Sequence, residues 1–334
     1  MALLGLTSYE NWIIFLLYII VSINHAILTT ASQDGKKYKF DATSAVLLAE
    51  ILKLATACAL FIFWDKNSFR NLLYEVSSHK KVMALYSIPA FLYSLSNNLS
   101  FINLSLHDPT TFIIMMQLRI VLTGVIYQIL FQKKLSWLQW ISLIVLTCGC
   151  IIKHLDFSAE EDTITSIYNF PFTIGLVFLL LQSCMALFAG IYTEYLLKGK
   201  KEDVNIWIQN IYMYVHSIFW NFVFAVVAAN FLDDHFWKTE ESIFQPKVLA
   251  IVFNYLCFGI VTSIFLKMLN SIVKSFAIAI EMVLMPVLGH FLFGVPVSVS
   301  TVLSIVLVII AVQIYSRNPV SNQPSLPRTR KDSN

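Results

Sequence analysis

The sequence predicts an all-helical integral membrane protein: ten transmembrane helices in two inverted five-helix repeats. Three observations carry this. Of 334 residues, 57% are hydrophobic and only 13% charged, and mean hydropathy is +0.71; soluble domains hold about 25% charged residues. Apolar runs long enough to cross a ~30 Å hydrocarbon core recur at 12–32, 42–64, 82–106, 110–131, 136–153, 170–197, 205–231, 247–266, 273–293 and 298–315. A short repeat links the halves. LFQKKLSWLQWISLIVL (130–146) aligns without gaps on LFGVPVSVSTVLSIVLV (292–308), so Ser136 meets Ser298 and Ser142 meets Ser304.

Taken in order, the first run is too long for a secretory signal and lacks a small-residue cleavage site, so it reads as a signal anchor. With the N-terminus in the cytosol, the cytosolic segments 65–81, 132–135, 198–204, 267–274 and the tail hold fifteen of the 23 Lys and Arg. The lumenal segments hold six, and two of these segments are acidic, with Asp156, Glu160, Glu161 and Asp162 in one and Asp233, Asp234, Glu240 and Glu241 in the other. That bias places both termini in the cytosol. Five spans per half is an odd number, so the halves must be inverted, with a solute site expected near the midplane. The divisions expected are a first repeat 1–153, a lumenal linker 154–169, a second repeat 170–315 and a tail 316–334 too polar to bury a core. The five cysteines lie in apolar stretches and read as residues of the helix interior rather than disulfide or metal ligands.

Charges inside the spans are the candidates for function, because a lone cation at bilayer depth costs about 2.5–3.5 kcal/mol on insertion scales. Arg119 sits in DPTTFIIMMQLRIVLTG. It either faces a water-filled cavity and holds an anion, or pairs with an acid such as Glu281. Glu50 and Lys53 are spaced i,i+3, which suits a self-neutralising pair as well as a solute contact. Tyr93, Asn97 and Asn98 follow Pro89 at near-helical spacing, and amides in a span need partners. Tyr192 lies in FAGIYTEYLLK. Asn210 and Tyr214 are i,i+4, with Gln209 beside them, and form a candidate hydrogen-bonding wall. Lys267, Asn270 and Lys274 recur across one turn, and Lys274 falls near a helix N-terminus, where backbone N–H groups favour anions.

The motifs SIPAFLYSLSNNLSF, DPTTFIIMMQLR, FAGIYTEYLLK, DVNIWIQNIYMY and TSIFLKMLNSIVKSFA together resemble the Golgi nucleotide-sugar transporters of the CMP-sialic acid and UDP-galactose branch. The resemblance implies a drug/metabolite-transporter-like fold and antiport of a cytosolic UDP-sugar, UDP-galactose foremost, against lumenal UMP. It aligns Arg119 with a lysine of the family's fourth helix, Lys274 with the phosphate lysine of its ninth, and Asn210 and Tyr214 with its seventh-helix pair. Met116 and Phe112 stand where relatives carry tyrosines, which puts those contacts in doubt. UDP-sugar and UMP each carry about two negative charges at neutral pH, matched by Arg119 and Lys274. The partners implied are these substrates and the bilayer, with a homodimer left open; no nucleic acid, cofactor or metal is expected. A proton-driven exporter with Glu50 or Glu281 as carrier, or a carrier of UDP-N-acetylglucosamine or CMP-sialic acid, is the alternative. The loops carry no catalytic constellation, so an enzyme is not expected.

Overall fold

The computed structural model describes residues 3–31, 33–34, 37–38, 42–106, 116–154, 174–199, 204–231, 245–293 and 298–320. Helices dominate because backbone N–H and C=O groups in lipid must be satisfied within their own segment. Helix α1 (Tyr9–Ala31) starts where Asn11 N–H donates to Ser8 Oγ at 3.2 Å, with Glu10 in its first turn favouring the positive end of the dipole. A two-residue β-hairpin pairs Gln33 with Tyr38 and Asp34 with Lys37. Helix α2 (Ala42–Ala59) runs on into a π-helical turn, Leu60–Trp64. The expected cytosolic loop 65–81 is not a plain loop: Ser68 caps a short helix α3 (Phe69–Ser78) by accepting from Asn71 N–H at 3.1 Å. Then follow α4 (Lys80–Leu106), α5 (Arg119–Phe131), α6 (Trp137–His154), α7 (Ile174–Leu197), α8 (Ile206–Phe231), α9 (Pro246–Met268), α10 (Ser271–Phe293) and α11 (Val299–Arg317).

Among the described residues six stretches are long and apolar enough to cross a membrane: Ser44–Trp64, Val177–Leu197, Ile206–Val227, Pro246–Met268, Ser271–Leu288 and Val299–Arg317. Arg119–Phe131 and Trp137–Lys153 are shorter apolar helices. The first residues of the expected fourth span, the linker and most of the tail lie outside the described residues. Ile20, Ile129, Phe222, Phe253 and Val306 are exposed, as a surface bathed in acyl chains allows.

The helices meet in a regular set of pairs. The main contacts are α6 with α11, α2 with α8, α5 with α10, α4 with α7 and α8, α1 with α9 and α10, α2 with α9, α5 with α6 and α7, and α10 with α11. The repeated serines do the same local job twice. Ser136 Oγ accepts from Gln139 N–H, and Ser298 Oγ from Thr301 N–H, each at 3.3 Å and each capping a first turn. Ser142 and Ser304 are both fully buried. Gly149 lets α6 approach α11, since a Cβ there would lie 3.0 Å from Leu307 Cβ. At one end Leu4 N–H donates to Ser316 Oγ at 2.8 Å, so the start and end of the described chain lie on the same side of the bundle.

The main apolar core joins α1, α5, α6, α9, α10 and α11 around Tyr18, Leu143, Phe265, Phe276 and Tyr315. A second forms between α2, α3, α4 and α8 around Phe61, Tyr86, Ile208 and Tyr212. Gly124 is set where α5 crosses α6. A Cβ there would meet Leu143 Cδ1 at 2.8 Å, with Leu135 and Trp140 atoms at 3.2 Å. Gly124→Val is therefore expected to cost about 1–3 kcal/mol, as overpacking does. A lower midpoint of thermal unfolding in detergent is the reading; an unchanged midpoint would mean α5 and α6 part easily.

Candidate substrate-binding site

Arg119 begins α5 just after a turn at Leu118 that separates it from the helical residues Met116 and Gln117. Lys274 lies one turn into α10. Both side chains are only partly covered, although both sit among buried residues of the bundle. Among the described residues neither makes a side-chain hydrogen bond or an ion pair. Their charges nonetheless act on each other, so they lie in one neighbourhood.

Glu281 lies near Arg119 without forming a salt bridge to it. Glu281 Oε2 accepts a hydrogen bond from Ser22 Oγ at 2.5 Å, and Arg119 is only its electrostatic neighbour. Tyr18 forms the floor of this region. Its ring lies 5.8 Å from Lys274 Nζ and packs on Phe265 and Phe258. A cation over a ring gains about 0.5–2 kcal/mol, which holds the ammonium without neutralising it. Tyr93 on α4 completes the group: it is an electrostatic neighbour of Tyr18, and its hydroxyl stands 3.0 Å from where a Cβ on Gly190 would be. Cys150 on α6 also neighbours Arg119.

A second polar group lies between α1, α2, α8 and α9. Lys53 Nζ donates to Glu50 Oε1 at 2.7 Å, and both residues are buried. Lys53 lies 5.9 Å from the centre of the Tyr214 ring and crosses Gly259, where a Cβ would be 2.7 Å from Lys53 Cε. The Tyr214 hydroxyl is buried with no partner. His25 stacks on Phe258 at 5.5 Å, so the Phe258 ring separates the two groups.

The other expected contacts are held by the protein itself. Gln209 accepts from the Tyr86 hydroxyl at 2.7 Å and donates to the Val204 carbonyl at 2.8 Å, which leaves it little capacity for a solute. Asn210 donates to Ser263 Oγ at 2.9 Å and ties α8 to α9. Asn270 Oδ1 accepts from Val273 N–H at 2.8 Å, capping α10. Tyr192 stacks between Phe188 and Tyr195. Asn97 is exposed, and the side chain of Asn98 lies outside the described residues. Met116 Sδ accepts from Ser183 Oγ at 3.3 Å and serves the α5–α7 contact; Phe112 lies outside the described residues.

At the α10 N-terminus, beside Lys274, the first amide is taken by a side chain of the protein. Glu194, fully buried on α7, fills that position: its Oε2 accepts from Ser271 N–H at 2.7 Å and Ser271 Oγ at 2.6 Å. Tyr18, Ser22 and His25 were legible in the sequence as an i, i+4, i+7 polar stripe on an apolar helix, as was the i,i+4 pair Glu194 and Lys198.

A helical membrane protein whose bundle holds cations that make no ion pair among the described residues has the makings of a membrane transport protein for anionic solutes. Comparison with known proteins makes this specific. The nucleotide-sugar transporter family profile matches residues 9–316. The chain is 40% identical to the UDP-galactose transporter senju of Drosophila melanogaster, over 93% of this chain and 87% of that protein. It is 30% identical to CMP-sialic acid transporter 1 of Oryza sativa subsp. japonica, over 95% and 97% of the two chains. A solved crystal structure shares the fold with a TM-score of 0.66 at 11% identity, covering 93% of this chain and 98% of that one. The chain belongs to the nucleotide-sugar transporter family.

Proposed function

We propose that this protein exchanges a cytosolic UDP-sugar, UDP-galactose foremost, for lumenal UMP across the Golgi membrane, with both termini in the cytosol. The observation that carries this is the pair of cations, Arg119 and Lys274, that make no ion pair among the described residues. Two positive charges match the roughly two negative charges of either substrate. The relatedness to the UDP-galactose transporter senju points to the sugar.

The charge balance supplies the mechanism. An empty site holds two cations that repel each other and, among the described residues, make no ion pair, with Glu281 and Glu194 only nearby. Carrying them through the closed intermediate of a reorienting transporter is costly in a low-dielectric interior. Either nucleotide neutralises both and lowers that barrier. Exchange is then favoured over one-way leak. Arg119 adds a planar fork that bonds a phosphate in two places, where lysine offers a point charge.

Ten spans in two inverted five-helix halves suit this cycle, and three observations support that arrangement. Exchange α1, α2, α4, α5 and α6 for α7, α8, α9, α10 and α11, and the set of main helix contacts is unchanged. The two serine caps correspond in the same register. The two described ends lie together, as an even number of spans requires. Under the exchange α5 pairs with α10, so the cations come from corresponding helices.

The test uses purified protein in liposomes preloaded with UMP, CMP or nothing, challenged with labelled UDP-galactose, UDP-N-acetylglucosamine and CMP-sialic acid. The expected result is UDP-galactose uptake that requires internal UMP and ignores a pH gradient. Uptake driven by the gradient in empty liposomes would replace this reading with a proton-coupled exporter.

A further inference from the structure

We infer that Glu194 is the positioning residue for Lys274, fixing the first turn of α10 so that the ammonium faces the substrate site; this rests on the function proposed above. The carboxylate is 0% exposed and spends both oxygens on one small region. Oε2 accepts from the backbone and side chain of Ser271, the first residue of α10. Oε1 accepts from Lys198 Nζ at 2.7 Å, and Lys198 also donates to the carbonyl of Leu269. The end of α7 is thereby clamped to both sides of the α9–α10 turn.

Three further observations make the clamp relevant to Lys274. Asn270 satisfies a second amide of the turn through Val273 N–H. Lys274 N–H continues the helix from the Asn270 carbonyl at 3.0 Å. Glu194 is also an electrostatic neighbour of Lys274. A buried carboxylate at a helix N-terminus interacts favourably with the dipole, and its charge is shared with Lys198 rather than Lys274. Lys274 is held in place by a neighbour that does not neutralise it. A substrate phosphate therefore meets an ordered and still uncompensated cation.

The experiment compares wild type, Glu194→Gln and Ser271→Ala as full-length protein in detergent. Glu194→Gln keeps the shape and removes the charge; Ser271→Ala removes one hydrogen bond and leaves the Glu194–Lys198 pair. Lys274 labelling by an amine-reactive ester is followed by mass spectrometry, with Lys267 as the internal reference. Binding of UMP and of uridine is measured in parallel. The expected result is several-fold faster Lys274 labelling in Glu194→Gln and a smaller rise in Ser271→Ala. UMP affinity falls about tenfold in Glu194→Gln, the scale of a lost charged hydrogen bond, while uridine, which lacks the phosphate, is unaffected. Wild-type labelling of Lys274, or an equal loss for UMP and uridine, overturns the inference. Should wild type bind no UMP, the proposed function fails while the labelling rates still decide the role of Glu194.

Discussion

Replacing either Lys274 or Arg119 by alanine is expected to abolish UDP-galactose uptake into UMP-loaded liposomes while the protein still folds. The physical ground is that neither side chain has a counter-ion to leave behind. Removing a member of a buried ion pair costs about 3–5 kcal/mol because the partner is stranded. Here the described structure contains no stranded partner: Glu281 keeps its bond from Ser22 and Glu194 keeps Lys198 and Ser271. Uptake should vanish, and the unfolding midpoint without nucleotide should stay near the wild-type value. The stabilisation that UMP gives the wild type should be lost. Arg119→Lys should retain part of the activity, since it keeps the charge and gives up the fork. Exchange at the wild-type rate in either alanine variant would remove the two-cation mechanism.

The second large effect is the opposite kind. Glu50→Ala is expected to destabilise the protein by about 3–5 kcal/mol, because Lys53 remains as a buried charge without its 2.7 Å partner. Tyr214 offers Lys53 only a ring face at 5.9 Å, and the Lys53 side chain lies along Gly259, where a Cβ would be 2.7 Å from its Cε. Glu50→Ala combined with Lys53→Met should recover most of the loss, since no charge is then stranded. Thermal unfolding of the two single variants and the double variant reads this coupling directly. Additive losses would mean that the pair contributes little and that each residue acts alone. The contrast with Arg119 and Lys274 is useful: Lys53 has an ion-pair partner to lose, whereas those two cations make no ion pair among the described residues.

Much of the site was legible in the sequence, but its partnerships were not. The apolar runs gave the helices to within a few residues at most ends, because lipid leaves a spanning backbone no alternative. Charges inside those runs stood out for the same reason, and so Arg119, Lys274, Glu50 and Lys53 were found. The short helix Phe69–Ser78 was missed because its polar flanks read as a loop, although Ser68 is an ordinary N-cap. Gln209 and Asn270 are expected solute contacts whose internal hydrogen bonds were not legible in the sequence. Each satisfies a neighbouring backbone or side-chain group.

The sequence by itself determined a helical membrane protein, the rotational face of each polar residue and the presence of cations that need an explanation. Only the tertiary structure decided that Glu281 turns to Ser22, that Glu194 accepts from Ser271 at the α10 N-terminus and that Arg119 and Lys274 make no ion pair among the described residues. The reason is that periodicity fixes where a side chain points on its own helix. Whether two opposite charges meet depends on how neighbouring helices are rotated and spaced, and that is set by contacts such as Gly149 on Leu307 and Phe258 on Tyr18, which no single segment encodes.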